Sequence, residues 1–147
     1  MLVAPPPCLP VDELGGELPV GRRHREQFEP GNALGGGVYA PIGRVENCVI
    51  RGNYCQGAAG GIDVEGGGLA RNCLIVRNTG ASGGGVFYRG PGVLNCTIAY
   101  NTASGHTSGG AYSWQVGTAL SNTIVYFNSP QNVVFGGGWD GASYHCC

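Results

Sequence analysis

Residues 84–101 read Gly84-Gly85-Val86-Phe87-Tyr88-Arg89-Gly90-Pro91-Gly92-Val93-Leu94-Asn95-Cys96-Thr97-Ile98-Ala99-Tyr100-Asn101. Two motifs follow one another here: a glycine pair before a small or branched apolar residue, then Asn-Cys-x-Ile-x-x-Asn. The first also stands at Gly36-Gly37-Val38, Gly60-Gly61-Ile62 and Gly109-Gly110-Ala111. The second also stands at Asn47-Cys48-Val49-Ile50 with Asn53, and at Asn72-Cys73-Leu74-Ile75 with Asn78. A variant with threonine for cysteine occupies Asn122-Thr123-Ile124-Val125 with Asn128. Gly37, Gly61, Gly85 and Gly110 lie 24, 24 and 25 residues apart, and each asparagine pair is six apart. A fixed period of this length marks a repeat whose single unit cannot bury its own apolar face and must stack on the next.

Glycine pairs and asparagines interrupt every segment before an amphipathic helical turn forms, so helical repeats are excluded. A leucine ladder is absent as well. What remains is a coil of short strands, each pairing in parallel with its equivalent one turn later, about 4.8 Å away. The expected fold class is therefore all-β, a parallel β-helix of about four coils of 23–27 residues. In that register Val38, Ile62, Val86 and Ala111 stack inward, as do Val45, Ala70, Val93 and Leu120, and Ile50, Ile75, Ile98 and Val125. Cys48, Cys73, Cys96 and Thr123 form a further small inward column. The asparagines are expected at the bends, because asparagine tolerates the left-handed conformation and its amide can bond the equivalent amide one coil away. The glycine pairs are expected to supply positive φ at the other corner.

Composition agrees with frequent turns. The chain of 147 residues carries 29 glycines, 12% charged residues and a net charge of −1, and all eight basic residues are arginine. That balance gives no electrostatic footprint for nucleic acid or an anionic membrane. No stretch is apolar enough for a transmembrane segment. Met1 to Pro10 lacks a basic start and holds several prolines, so it does not read as a secretory signal.

The alternation of Gly-Gly-[small apolar] with [Ile/Val]-x-x-Asn resembles right-handed β-helix proteins of the pectate-lyase-like superfamily. Its style is closest to repeat regions of large bacterial surface proteins, polymorphic outer-membrane proteins and anchor-bearing β-helix proteins among them. The resemblance covers about residues 33–132. It implies right-handedness, in keeping with the bias of parallel crossovers. It also implies an extracellular or cell-surface location, with further coils of the same longer polypeptide as neighbours.

In polysaccharide lyases and glycosidases of this fold one outer flank carries the active site. Here strand alternation places Tyr39, Asp63, Phe87 and Tyr112 outside, with Pro41, Glu65, Arg89 and Trp114 two residues on. Asp63, Glu65 and Arg89 are the candidate catalytic residues. In a lyase, acids would hold Ca²⁺ and an arginine would act as base; in a hydrolase, two acids would flank the glycosidic oxygen. Against this, both acids come from one coil, and a cross-strand ion pair accounts for Arg89. Tyr39, Phe87, Tyr112 and Trp114 are the candidate binding residues, their rings suited to a sugar or a protein surface. The competing reading is that they are strand formers, covered by surface loops or by another domain. The preferred function is non-catalytic: a segment of a bacterial surface β-helix protein acting as stalk or adhesion surface. Its alternatives are a polysaccharide lyase or glycosidase, and a carbohydrate-binding module; the expected partners are a polysaccharide or another surface protein.

Asn47, Asn53, Asn72, Asn78, Asn95, Asn101, Asn122 and Asn128, with Cys48, Cys73 and Cys96, are assigned a structural ladder. The thiols are expected to stay reduced, since stacked side chains run parallel and cannot reach disulfide geometry. Cys8, Cys55, Cys146 and Cys147 lie outside the column, and His145-Cys146-Cys147 lacks a second ligand pair, so no metal site is expected. Neither a metal nor another cofactor is expected, save Ca²⁺ under the lyase reading. His106 reads as a loop residue. Residues 1–32 hold eight of the 17 charged residues and read as a leader or N-terminal cap, and residues 133–147 as the start of a truncated further coil. The whole is expected to be a piece of a longer protein.

Overall fold

In a computed structural model the structure describes residues 23–24, 35–90, 92–105, 107–115, 119–136 and 142–144. Among them there is no helix, and every strand pairing is parallel. Strands of three residues, or two at Arg23–His24, stack on three faces. The first face, which follows the glycine pairs, stacks Val38–Ala40, Ile62–Val64, Val86–Tyr88, Ala111–Ser113 and Val133–Phe135. The second stacks Arg44–Glu46, Leu69–Arg71, Gly92–Leu94, Ala119–Ser121 and Ala142–Tyr144. The third stacks Arg23–His24, Val49–Arg51, Leu74–Val76, Thr97–Ala99 and Ile124–Tyr126. The result is a parallel β-solenoid of about four turns. Arg23–His24 pairs with Val49 and Ile50 ahead of the first repeat, and Val133–Phe135 and Ala142–Tyr144 add strands beyond the fourth. The rest of the leader, His106 and the cysteines at both chain ends lie outside the described residues.

The register sets the core. Ile50, Ile75, Ile98 and Val125 are paired residue for residue, as are Val38, Ile62, Val86 and Ala111. These columns, with Val45, Ala70, Val93 and Leu120, form one buried cluster inside the coil. Ala40, Val64 and Tyr88 join it as a further inward column. β-Branched side chains suit the pleat, and each adds contact with the residues one coil above and below. Burying an Ile side chain in such a column contributes roughly 1.5–3 kcal/mol.

The two asparagine columns do different work. Asn47, Asn72, Asn95 and Asn122 are exposed and left-handed, with φ of 55°, 55°, 52° and 46°. Asn53, Asn78, Asn101 and Asn128 are buried and make the amide ladder. At this second corner the left-handed residue is the one before the asparagine: Gly52, Arg77, Tyr100 and Phe127, with φ of 68°, 56°, 56° and 51°. The expectation that both asparagines bend the chain is corrected accordingly. A buried amide cannot be spared for backbone geometry when it must satisfy its neighbours.

The role expected of the glycine pairs also changes. None of them has positive φ. They are glycine because neighbouring coils pass too closely for a side chain. A Cβ on Gly85 would lie 2.8 Å from both the Gly110 carbonyl oxygen and Ile98 Cγ2, and 2.9 Å from Asn101 Nδ2. Gly37, Gly61 and Gly110 meet the Nδ2 of Asn53, Asn78 and Asn128 in the same way. The second glycine of each pair and the second asparagine of each repeat are thus one packing unit.

Candidate flank and the buried ladders

Between the second asparagine and the next glycine pair the chain carries small residues: Gly57-Ala58-Ala59, then Gly80-Ala81-Ser82-Gly83. Such segments can lie flat against a sheet. Gly35, Ala59, Gly83 and Ser108 bridge one another in parallel, and Thr79–Gly80 pairs with Thr102–Ala103. Amides of Ala81, Ser82 and Gly83 donate to carbonyls of Gly57 and Ala58, and those of Ser104 and Gly105 to Gly80 and Ala81. These segments form an extra layer over the outer side of the first face.

That layer overturns the expectation of an open flank. Alternation does turn Asp63, Phe87 and Tyr112 away from the inner core, yet all three are buried. Phe87 and Tyr112 pack with Ala59 in a second apolar cluster, against Ala58 and Val134. Their rings lie 5.5 Å apart and tilted. Tyr39 is half-buried, and only Trp114, at 61% exposure, presents a free ring, edge-on to Tyr112. Tyr39, Phe87, Tyr112 and Trp114 therefore do not form a continuous open platform.

The charged residues are brought together as expected, but into the scaffold. Glu65 Oε1 lies 3.1 Å from Arg89 Nη1, and Tyr39 donates its hydroxyl to Glu65 Oε2 at 3.3 Å. Arg89 also sits over the Phe87 ring, 4.9 Å from its centre. Asp63 is fully buried, and among the described residues neither carboxyl oxygen has a hydrogen-bond partner. Burial, and then the Glu65 charge, push its pKa up to about 8, with Arg89 opposing. Burial and the neighbouring Glu65 likewise raise the Tyr39 hydroxyl. At neutral pH Asp63 is a sealed, protonated acid.

General acid–base chemistry needs the acid within reach of the reacting atom. Asp63 is beneath the loop layer, and both Glu65 oxygens face Arg89 and Tyr39. A Ca²⁺ would want about six to eight oxygen ligands. Among the described residues no cluster of three or more His, Cys, Asp or Glu comes together. The pair Asp63 and Glu65 does not fit a lyase's calcium.

The ladder runs in one direction. Asn53 donates its backbone N–H and its Nδ2 to Asn78 Oδ1, at 3.0 and 2.9 Å. Asn78 does the same to Asn101 at 2.9 and 3.0 Å. The second amide hydrogen returns: Asn78, Asn101 and Asn128 Nδ2 donate to the Ile50, Ile75 and Ile98 carbonyls. Asn132 ends the run by accepting from Asn128. Its spacing of four from Asn128, where the repeat gives no asparagine, kept it out of the sequence reading. The outer asparagines are bonded in pairs, Asn72 to Asn47 and Asn122 to Asn95.

Cys48, Cys73 and Cys96 are free and buried, and Cys55 is buried too. Each column thiol donates to the carbonyl two residues back, and Thr123 makes the same bond to Ser121. Burial pushes the Cys48 thiol up, and a shared hydrogen bond with Cys96, followed by burial, pushes Cys73 up.

One surface feature had been missed. Tyr100, Tyr126 and Phe127 are exposed on the third face and pack ring to ring, with centres 5.0–5.8 Å apart. The signal was in the column Gly52, Arg77, Tyr100, Phe127, which precedes the ladder asparagines at constant register.

Parallel strands on three faces around a buried amide ladder make this chain a β-solenoid. No family model matches it, and no curated protein or solved structure is significantly similar. Among the described residues no helix is long and apolar enough to cross a membrane.

Proposed function

We propose that the chain is a non-catalytic segment of an extracellular or cell-surface β-helix protein of the pectate-lyase-like kind, serving as a rigid spacer or interaction surface. The observation that carries this reading is the fate of the acids. Glu65 is held by Arg89 and Tyr39, and Asp63 is sealed beneath the loop layer. An acid pair used this way contributes to packing rather than to bond cleavage. The repeated ladders support the same reading, since they rigidify the coil along its whole described length. The resemblance of the repeat supplies the surface location.

Two measurements test it. An antibody against the solenoid should label intact source cells, or the medium; labelling only after lysis removes the surface role. Incubation with polyuronates, with and without Ca²⁺, should release neither unsaturated products nor new reducing ends. Activity abolished by Glu65→Gln would establish the enzyme reading instead.

A further inference from the structure

The third face carries an unusual charge pattern. Five arginines have described side chains: Arg44 and Arg71 face Glu46, and Arg89 faces Glu65. Arg51 and Arg77, both exposed and both on the third face, have no carboxylate partner among the described residues. No carboxylate lies in this face's described strands or corners. Arg51 and Arg77 occupy the first and second coils, and the aromatic cluster occupies the third and fourth.

Register makes this arrangement self-complementary. Arg51, Val76, Ala99 and Tyr126 form one column from first coil to fourth. Gly52, Arg77, Tyr100 and Phe127, the left-handed corners, form the next. A two-fold axis lying in the face and parallel to the strands reverses coil order while keeping each column opposite itself. Arg51 then meets the partner copy's Tyr126, and Arg77 meets its Tyr100. The most exposed ring, Phe127 at 70%, meets Gly52, the column's one residue without a side chain. Val49, 37% exposed, meets Ile124, 48% exposed. Each contact occurs twice by symmetry.

We propose that the third face is a homodimer interface in which two solenoids pack antiparallel, arginine on tyrosine. An arginine over a tyrosine face is attractive once water is excluded. In the aromatic cluster Phe127 stacks on Tyr100 and Tyr126 stands edge-on to both; across the two-fold Phe127 meets Gly52, where nothing lies within 4 Å of a Cβ. Four coils at about 4.8 Å, six residues wide, bury about 400 Å² per copy. That is roughly half the usual interface, so the dimer is weak and concentration-dependent.

The test is sedimentation velocity of the full chain over a wide concentration range. Wild type should shift reversibly from monomer to dimer. Arg51→Glu with Arg77→Glu should weaken association at least tenfold, and Tyr100→Arg with Tyr126→Arg should do the same. Mixed together, the two variants should form a heterodimer, because each Glu then faces an Arg and each remaining Arg faces a Tyr. Heterodimer formation also shows that both variants are folded. Wild type monomeric throughout, a dimer insensitive to either pair of changes, or failure of the mixture to associate each overturns the proposal. Binding of heparin or polygalacturonate by a monomeric wild type, lost in Arg51→Glu/Arg77→Glu, would make the face a polyanion site and overturn it equally.

Discussion

Asn101 donates both its backbone N–H and its side-chain Nδ2 to one acceptor, Asn128 Oδ1, at 2.9 and 3.0 Å. Asn101 Oδ1 accepts the same two bonds from Asn78. Every polar atom of the amide is therefore committed, in a position 1% exposed. Asn101→Ala strands the donors of Asn78 and the carbonyl of Ile75. Each buried orphan costs about 1–3 kcal/mol, so chemical denaturation should show a loss of several kcal/mol. Asn101→Asp is a sharper probe: it can still accept from Asn78 but cannot donate from its side chain to Asn128 or Ile75. It should not rescue stability at neutral pH.

Gly85→Ala should be as harmful as its small size makes surprising. The new methyl meets the Gly110 carbonyl, Ile98 and Asn101 at once, all below 3.0 Å. Overpacking of this kind costs about 1–3 kcal/mol. Gly67→Ala is the control, since nothing lies within 4 Å of a Cβ there. Equal melting temperatures for the two variants would refute the close-approach account of the glycine pairs.

Asp63 gives the fold a pH dependence with a definite sign. Its folded pKa, about 8, lies above the ordinary value of 3.8. Between these values the unfolded chain loses the proton and the folded chain keeps it. The stabilising effect is full below about pH 4 and disappears as pH rises through 8, by up to about 1.4 kcal/mol per pH unit. Asp63→Asn, which is neutral at every pH, should flatten this slope in denaturation curves taken from pH 4 to 9. An unchanged slope would place the dependence elsewhere.

The cysteine column should accept a hydroxyl. Thr123 Oγ1 bonds the Ser121 carbonyl at 2.8 Å as Cys73 Sγ bonds the Arg71 carbonyl at 3.2 Å. Cys73→Thr should change stability by less than about 1 kcal/mol, whereas Cys73→Leu overpacks the column by about 1–3 kcal/mol. In the native chain, buried thiols held in the protonated form should react slowly with a disulfide reagent until denaturant is added. Rapid native labelling of Cys48 or Cys73 would contradict their burial.

The sequence by itself determined the repeat, and with it the stacked parallel strands. Valine, isoleucine and asparagine recur at constant offsets, and only stacking buries such units. It also placed Val86, Ile98 and Cys96 inward, because strand alternation is a local property. Tertiary structure decided whether an outward residue reaches water. Asp63 and Phe87 point out of the coil as read, but Gly35 lies against Asp63 and Ala58 and Ala59 pack on Phe87, and no local pattern says where a glycine-rich segment will lie. Tertiary structure also separated the two asparagines of each repeat, since only the packing of coil on coil shows which amide is buried. It likewise gave the glycine pairs their reason, a close passage between coils that no single repeat contains.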